Sequence, residues 1–273
     1  MIDIRQTQHY ANYLKSLGWI VERIDKTNYF VKKLPLLGSV LKIQRPDEIR
    51  FKVIAKLAKK YRAFQIIVEP KSDNAAKLLI RNGYKLSKNP YLPTKTLHLD
   101  LTKTLKFEKE TRRSIRIGDR TVIRKYSTST EIKTFREAWK KSVNFKRYVP
   151  GSTQLINLRK YFPNSYSLFL ASHNVSGSII GGVIFTRTSH GVAYYWQAFT
   201  NKEGRSSLSQ YSLLHQGILW AKKQGCKIFD FEGIFDPRFP NKSWLGFTHF
   251  KKSFGGTEVL YPSCYTKSKF SLI

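Results

Sequence analysis

Apolar residues recur along the first third of the chain with the two periods typical of helices and strands. Tyr10, Leu14 and Leu17 follow helical spacing and stop before Gly18, which predicts a helix over residues 5–17. The same pattern predicts these further elements: strands 19–31 (broken at 25–28) and 38–43, helix 47–62 with Asp47 as its cap, strand 64–68, helix 74–82 and strand 95–101.

A second alternation of helices and strands follows residue 125. A turn at 174–177, rich in Asn, Ser and Gly, separates two of its strands. The predicted elements are helix 130–143, strands 167–172, 177–186 and 191–198, helix 208–224 and strand 227–231. Alternation of this kind predicts an α/β (α+β) protein.

One helix–strand unit occurs twice. Residues 57–70, LAKKYRAFQIIVEP, align without a gap on residues 220–233, WAKKQGCKIFDFEG. In both, an apolar helix carrying Ala-Lys-Lys leads into an apolar strand that ends in a glutamate, Glu69 or Glu232. The echo predicts two duplicated domains, although unrelated helix–strand pairs can produce the same pattern.

The charge of the chain is strongly one-sided. Its 273 residues include 49 Lys and Arg against 18 Asp and Glu, a net charge of +31. Such a field attracts nucleic acid, anionic lipid or phosphate-bearing substrates. The alternative is a lysine-rich surface that serves solubility alone.

Cysteine usage and the N-terminal sequence point to a reducing compartment. Cys226 and Cys264 are the two cysteines, and neither has the spacing of a zinc site or a disulfide framework. The first residues lack the apolar stretch of a signal peptide, and no run of 18 apolar residues occurs. We therefore expect a cytoplasmic protein without a metal.

Four segments carry a family resemblance. They are YYWQAF (194–199), ILWAKKQGCKIFDFEGI (218–234), LGFTHFKKSFGG (245–256) and LPTKTLHLDLTKTL (92–105). The third has the form G-x-x-x-F-K-x-x-F-G-G. Together they resemble the FemABX family of peptidoglycan-bridge aminoacyltransferases, in the compact form that has no coiled-coil arm.

The resemblance implies a fold of two GNAT-like domains packed together. The first domain would comprise residues 1–104, completed by C-terminal strands within 257–273, and the second residues 105–256. It also implies transfer of an amino acid from aminoacyl-tRNA to the stem-peptide amine of lipid II or UDP-MurNAc-pentapeptide. Aminoacyl-tRNA is then a co-substrate and no cofactor is needed, while peripheral contact with the inner membrane surface is a further expectation.

Two alternatives come from other classes of function. A GNAT N-acyltransferase acting on a different amine would need an acetyl-CoA turn of the form Q/R-x-x-G-x-G/A, but the helix near 208 is preceded by NKEGRSSLSQ with the single Gly204. A basic RNA-binding protein that keeps the fold without the chemistry is the other alternative.

Two residues are the candidate catalytic groups. Lys251, after Phe250, falls on the family lysine that stabilises charge on the reacting carbonyl oxygen, although an isolated lysine in so basic a chain is usually solvated. Glu69 falls where the family can carry an acidic residue near the acceptor amine, as a general base or as the partner of a neighbouring cation. Asp230 is expected to brace its strand end.

The remaining candidates concern substrate binding. Arg147 and Lys15 lie near family positions that bind acceptor phosphates. Tyr211 and Tyr195 are candidates for the acceptor channel, with core packing as the alternative, and Gln197 stands where the family can have a tyrosine.

The basic segment 102–125 is a candidate contact for tRNA. Arg112, Arg113 and Arg116 would neutralise backbone phosphates without reading bases. An exposed helix between the domains is the alternative reading of this segment.

Overall fold

The computed structural model describes residues 1–143 and 147–268, which divide into two compact units. Unit 1 comprises Met1–Thr96, Phe235–Lys242 and Val259–Ile273, and unit 2 comprises Leu97–Ile234 and Ser243–Glu258. Residues 269–273 of the expected C-terminal strands lie outside the described residues. The domain boundary expected at 104 stays a prediction.

Helices and strands alternate through the described chain. In order they are α1 (Gln8–Ser16), β1 (Ile20–Ile24), β2 (Thr27–Leu34), β3 (Gly38–Gln44), α2 (Phe51–Lys60), β4 (Ala63–Glu69), α3 (Asp73–Arg81), β5 (Lys85–Leu86), β6 (Lys95–Asp100), α4 (Lys109–Gly118), β7 (Val122–Tyr126), α5 (Ser129–Ser142), α6 (Ser152–Tyr161), β8 (Ser167–His173), β9 (Ile179–Arg187), β10 (Val192–Thr200), α7 (Lys202–Ser206), α8 (Ser209–Lys223), β11 (Ile228–Gly233), α9 (Leu245–Lys252), β12 (Thr257–Leu260) and β13 (Tyr265–Ser268).

The strands form two mixed sheets. The first has the order β1-β2-β3-β4-β13-β5, with β3 and β4 parallel. The second has the order β12-β6-β11-β10-β9-β8-β7, with β10 and β11 parallel. The two echoed segments occupy matching places, since α2 leads into β4 as α8 leads into β11.

Side chains cap two of the first three helices, and the remaining one, α2, departs from the prediction. Thr7 caps α1 and Ser72 caps α3, each by accepting a backbone N–H. Asp47, however, does not cap α2, so this prediction is wrong. The helix begins later, after the non-helical Arg50, because the Asp47 carboxylate is bound by Lys71.

Several short elements were absent from the predictions. Strand β7, helices α6, α7 and α9 and strand β5 were not predicted, whereas α4 matches the helix weighed as an alternative for the segment 102–125, and β12 and β13 lie within the range 257–273 where C-terminal strands were expected. Strands β5 and β7 bury little surface, so their apolar periodicity is weak. Within the described part of the chain, no helix combines the length and apolar character that crossing a bilayer requires.

The core of unit 2 depends on one close helix–sheet contact. A Cβ added to Gly217 of α8 would lie 2.0 Å from Cζ of Phe185 in β9. Only glycine lets the helix come this close to the fully buried ring. This contact fixes α8 on the sheet whose strands β10 and β11 position the candidate site.

Candidate active site

Strand β11 ends in a left-handed turn at Glu232, and the Asp230 side chain holds this turn. Glu232 has φ of 57°, in the left-handed region that disfavours residues with a Cβ. Its backbone N–H donates to Oδ1 of Asp230 at 2.7 Å, and Nε2 of His98 lies 3.2 Å from the other oxygen, Oδ2. Asp230 therefore links β11, the turn and β6, and the turn directs the carbonyl of Gly233 toward α9.

Lys251 of α9 meets that carbonyl. Its Nζ donates a 2.6 Å hydrogen bond to the oxygen of Gly233, and the residue is only 6% exposed. The helix is short, and Phe250 packs it on the unit 2 core, to which Phe254, two residues past the helix, also belongs. A lysine on that buried side is unusual, since lysine is almost never fully buried unless it is paired.

Burial controls the charge of this lysine. Desolvation lowers the pKa of Lys251 to about 8, against an opposing influence of the nearby Glu232 and Asp230 carboxylates. The Nζ atom also lies 5.4 Å from the ring centroid of Tyr195 and 4.9 Å from that of Phe247. An ammonium group in such apolar surroundings interacts strongly with any negative charge that develops beside it.

Aromatic residues predicted to bind substrate pack around Lys251. The Phe250 ring lies 4.9 Å from that of Tyr211, edge to face. Tyr195 donates its hydroxyl to Oε1 of Gln210 at 3.3 Å, and burial raises the pKa of Tyr195. Gln197 follows on the same strand, past an irregularity in the β9–β10 register. Unit 2 thus brings together Lys251, Phe250, Tyr195 and Tyr211.

Glu69 lies in unit 1, at the end of β4. It is 3% exposed, and its two oxygens accept bonds from different partners: Nε2 of Gln44 at 2.7 Å and the backbone N–H of Leu92 at 2.5 Å. These bonds tie the strand end to β3 and to the loop before β6. A role as general base stays a prediction.

The cationic candidates lie on the surface. Lys15 is exposed on α1 in unit 1, and Arg147 is exposed in unit 2. The rest of the segment expected to carry the acceptor-binding arginine, residues 144–146, lies outside the described residues.

The three arginines of α4 are exposed as well. Arg112 donates to the carbonyl of Phe107 at 2.8 Å, and Arg113 lies 3.7 Å from Glu110. Arg116 lies one turn after Arg112 on the same helix. The helix therefore presents a basic face, as a phosphate contact requires.

Two features of the site were not predicted as parts of it. The His98–Asp230 contact joins residues far apart in sequence, so no local sequence pattern predicts it. The left-handed turn at Glu232 has a faint signal in the Glu-Gly dipeptide, but glycine itself, at 233, would be expected to take the positive φ. Among the described residues, no cluster of three His, Cys, Asp or Glu side chains could hold a metal.

Solved structures share this architecture. The structure of FemX superposes with a TM-score of 0.79, covering 97% of this chain and 92% of that chain at 16% identity. The chain has a FemX-like fold. L-PGS from Bacillus licheniformis shares the FemX-like fold with a TM-score of 0.65 and 14% identity, over 95% of this chain and 88% of that chain.

A further match is to a protein with two GNAT domains in tandem. A tandem GNAT protein from the clavulanic acid biosynthesis pathway aligns with a TM-score of 0.53 and 9% identity, over 88% of this chain and 82% of that chain. The predicted class, α/β with two GNAT-like domains, is confirmed. No protein-family model matches the sequence, and no curated protein matches it significantly.

Proposed function

We propose that this chain is a tRNA-dependent aminoacyltransferase of the FemABX type, which adds an amino acid to the stem-peptide amine of a peptidoglycan precursor. The observation that carries the proposal is the buried ammonium group of Lys251, held by the Gly233 carbonyl at the end of β11. The FemX-like fold and the F-K-x-x-F segment support it.

The reaction follows from the chemistry of the ester. The acceptor amine attacks the carbonyl carbon of the aminoacyl ester and forms a C–N bond, while negative charge builds on the carbonyl oxygen. Lys251 stabilises this oxyanion in surroundings from which water is largely excluded. The C–O bond to the ribose of tRNA then breaks, the ribose oxygen takes up a proton, and the amine loses one.

Phosphate groups of both substrates match the charge of the chain. We assign Arg112, Arg113 and Arg116 of α4 to the tRNA backbone, and Arg147 and Lys15 to phosphates of the acceptor. The acceptor is lipid II or UDP-MurNAc-pentapeptide, and both carry a diphosphate. Phe250, Tyr211, Tyr195 and Gln197 are assigned to the substrate pocket around Lys251.

The test is transfer of labelled amino acids. The purified protein is mixed with tRNA charged by a labelled amino acid pool and with either acceptor, and RNase-sensitive label on the acceptor is counted. Lys251→Ala should lower transfer by roughly a hundredfold, the cost of losing one oxyanion donor. Lys252→Ala is the matched control, because Lys252 is the next residue, is exposed and pairs with Glu258.

Three other results would contradict parts of the proposal. Equal transfer by wild type and Lys251→Ala would contradict the role of the lysine. No label on either acceptor, with tRNA bound tightly, would favour a basic RNA-binding protein, which the net charge of +31 suits. Saturable binding of acetyl-CoA in a calorimetric titration would instead favour a GNAT N-acyltransferase.

A further inference from the structure

The tip of the β2–β3 hairpin exposes two leucines to solvent. Leu34 and Gly38 form the last paired positions, and Pro35, Leu36 and Leu37 span the turn. Leu36 is 106% exposed and Leu37 is 69% exposed. Large apolar side chains at a projecting tip gain nothing from the fold itself, so a contact outside the chain is their natural explanation.

The backbone at the tip strengthens this argument. Leu36 has φ of 63°, a left-handed conformation in which glycine would be less strained. Leucine at this position is therefore both strained and exposed. Neither property stabilises the isolated protein.

Basic side chains surround the same end of unit 1. Lys33 is exposed in β2, and Nζ of Lys32 donates to the carbonyl of Gly18 at 3.3 Å and lies 5.7 Å from the ring of Trp19. These contacts bring the end of α1 and the start of β1 beside the hairpin.

The end of α2 lies at this end too. The backbone N–H of Ser39 donates to the carbonyl of Arg62 at 3.2 Å, and its hydroxyl donates to that of Tyr61 at 2.8 Å. This segment brings the exposed Lys59, Lys60 and Arg62 beside the hairpin. Glu22 is the nearby acid, and Lys60 pairs with it at 2.6 Å. We call Lys32, Lys33, Lys59, Lys60 and Arg62 the basic collar.

An apolar tip inside a basic collar matches one kind of partner. The acyl region of a bilayer accepts leucine side chains, and anionic headgroups at its surface attract lysine and arginine. The phosphates of nucleic acid would bind the basic collar, but leucines cannot stack on bases as aromatic residues do, so nucleic acid would leave the leucines without a contact. Two leucines are also too few for a stable protein–protein interface.

We propose that the β2–β3 hairpin tip docks unit 1 on a bilayer containing anionic lipid, with Leu36 and Leu37 inserted and the basic collar on the headgroups. The proposal is independent of aminoacyl transfer, because vesicle binding is measured without either substrate.

The experiment is co-sedimentation with vesicles. Wild type should bind vesicles of phosphatidylcholine with 30% phosphatidylglycerol, a composition chosen for the assay, and bind pure phosphatidylcholine far more weakly. The variant Leu36→Ser/Leu37→Ser should bind the anionic vesicles at least about tenfold more weakly, because it removes the inserted apolar surface. The matched control is Val175→Ser, which changes a residue 108% exposed at a hairpin tip of unit 2.

A second measurement reports insertion directly. Cys226 and Cys264 are buried, and burial raises the pKa of both thiols, that of Cys264 to about 12, so a thiol-reactive dye should label Leu36→Cys selectively. An environment-sensitive dye at position 36 should brighten and shift to the blue on anionic vesicles, whereas the same dye at Val175→Cys should not. Absence of wild-type binding to the anionic vesicles, equal binding by the double-serine variant, or an unchanged dye spectrum at position 36 would each overturn the proposal.

Discussion

The backbone N–H of Glu232 donates a 2.7 Å hydrogen bond to Oδ1 of Asp230, two residues earlier in the chain. The bond holds Glu232 in its left-handed conformation. Glycine takes this conformation without strain, whereas alanine pays roughly 1 kcal/mol for it. We therefore expect Glu232→Gly to unfold at higher urea than Glu232→Ala, by a free-energy difference of about 1 kcal/mol. Both variants lose the same carboxylate, so the comparison isolates the backbone, and equal midpoints would refute the strain.

Under the proposed function, the rate of aminoacyl transfer should fall above a pH of about 8. In the proposed reaction the acceptor amine must be unprotonated, so the rate first rises with pH. The proposed oxyanion donor is the ammonium form of Lys251, and burial lowers the pKa of Lys251 to about 8. Asp230→Asn removes one negative neighbour that raises this pKa while it keeps an oxygen for the Glu232 N–H. The falling limb should then move to lower pH.

The control for this shift is a carboxylate far from the lysine in sequence. Glu137→Gln changes an exposed residue of α5 that pairs with Arg136. It should leave the pH profile where the wild type has it. A falling limb at the same pH in Asp230→Asn would mean that Lys251 does not control the profile.

Lys251 should also give the stability of the fold a defined pH dependence. Its pKa is about 8 in the folded state against an ordinary 10.5. Below pH 8 both states hold the proton, and folding bears the full cost of burying the charge, roughly 3 kcal/mol. Between pH 8 and 10.5 only the unfolded state binds the proton, so stability rises with pH through this window.

The variant Lys251→Met isolates this contribution. The unfolding free energy of the wild type, minus that of the variant, should rise by about 3 kcal/mol between pH 8 and 10.5, because other titrating groups cancel in the difference. Urea unfolding followed by circular dichroism at both pH values measures it. A constant difference would place the pKa of Lys251 near its ordinary value.

Two helical glycines should respond in opposite directions to alanine. At Gly217 the new methyl group would overlap the Phe185 ring, whose Cζ lies 2.0 Å from the added Cβ, and we expect a loss of about 3 kcal/mol or a failure to fold. At Gly246 of α9 nothing lies within 4 Å, so alanine should stabilise by up to about 1 kcal/mol. Thermal denaturation of the two variants is the measurement. Equal melting temperatures would contradict the close contact of α8 with β9.

The sequence predicts those elements whose apolar positions follow a clear period. Helix α8 and strand β11 were located within two residues because α8 buries positions at helical spacing and β11 is a short, continuous buried run. Helix α9 was not predicted, although its motif was noted, because it has only eight residues and the two it buries, Thr248 and Lys251, are polar. The period of apolar residues predicts which positions are buried, so a short helix that buries a lysine lacks the expected pattern.

The candidate site likewise has one part that a local sequence pattern predicts and one part that it does not. The sequence motif gave Lys251 and Phe250, which are neighbours in sequence, as candidates. The Gly233 carbonyl and the His98–Asp230 contact come from chain segments that only the folded sheet brings together. No local pattern carries this information, because pairing across β6 and β11 is decided by the whole sheet.

Strand β13 lies between β4 and β5, and Tyr265 pairs with Val68, roughly two hundred residues earlier in the chain. During synthesis, β4 therefore cannot pair with β13 until unit 2, which lies between them in the sequence, has been translated. The unfilled edge of β4 is exposed throughout this interval and can pair with other strands. Ribosome-associated chains should for this reason be the form of the protein most prone to aggregation, and the most dependent on chaperones.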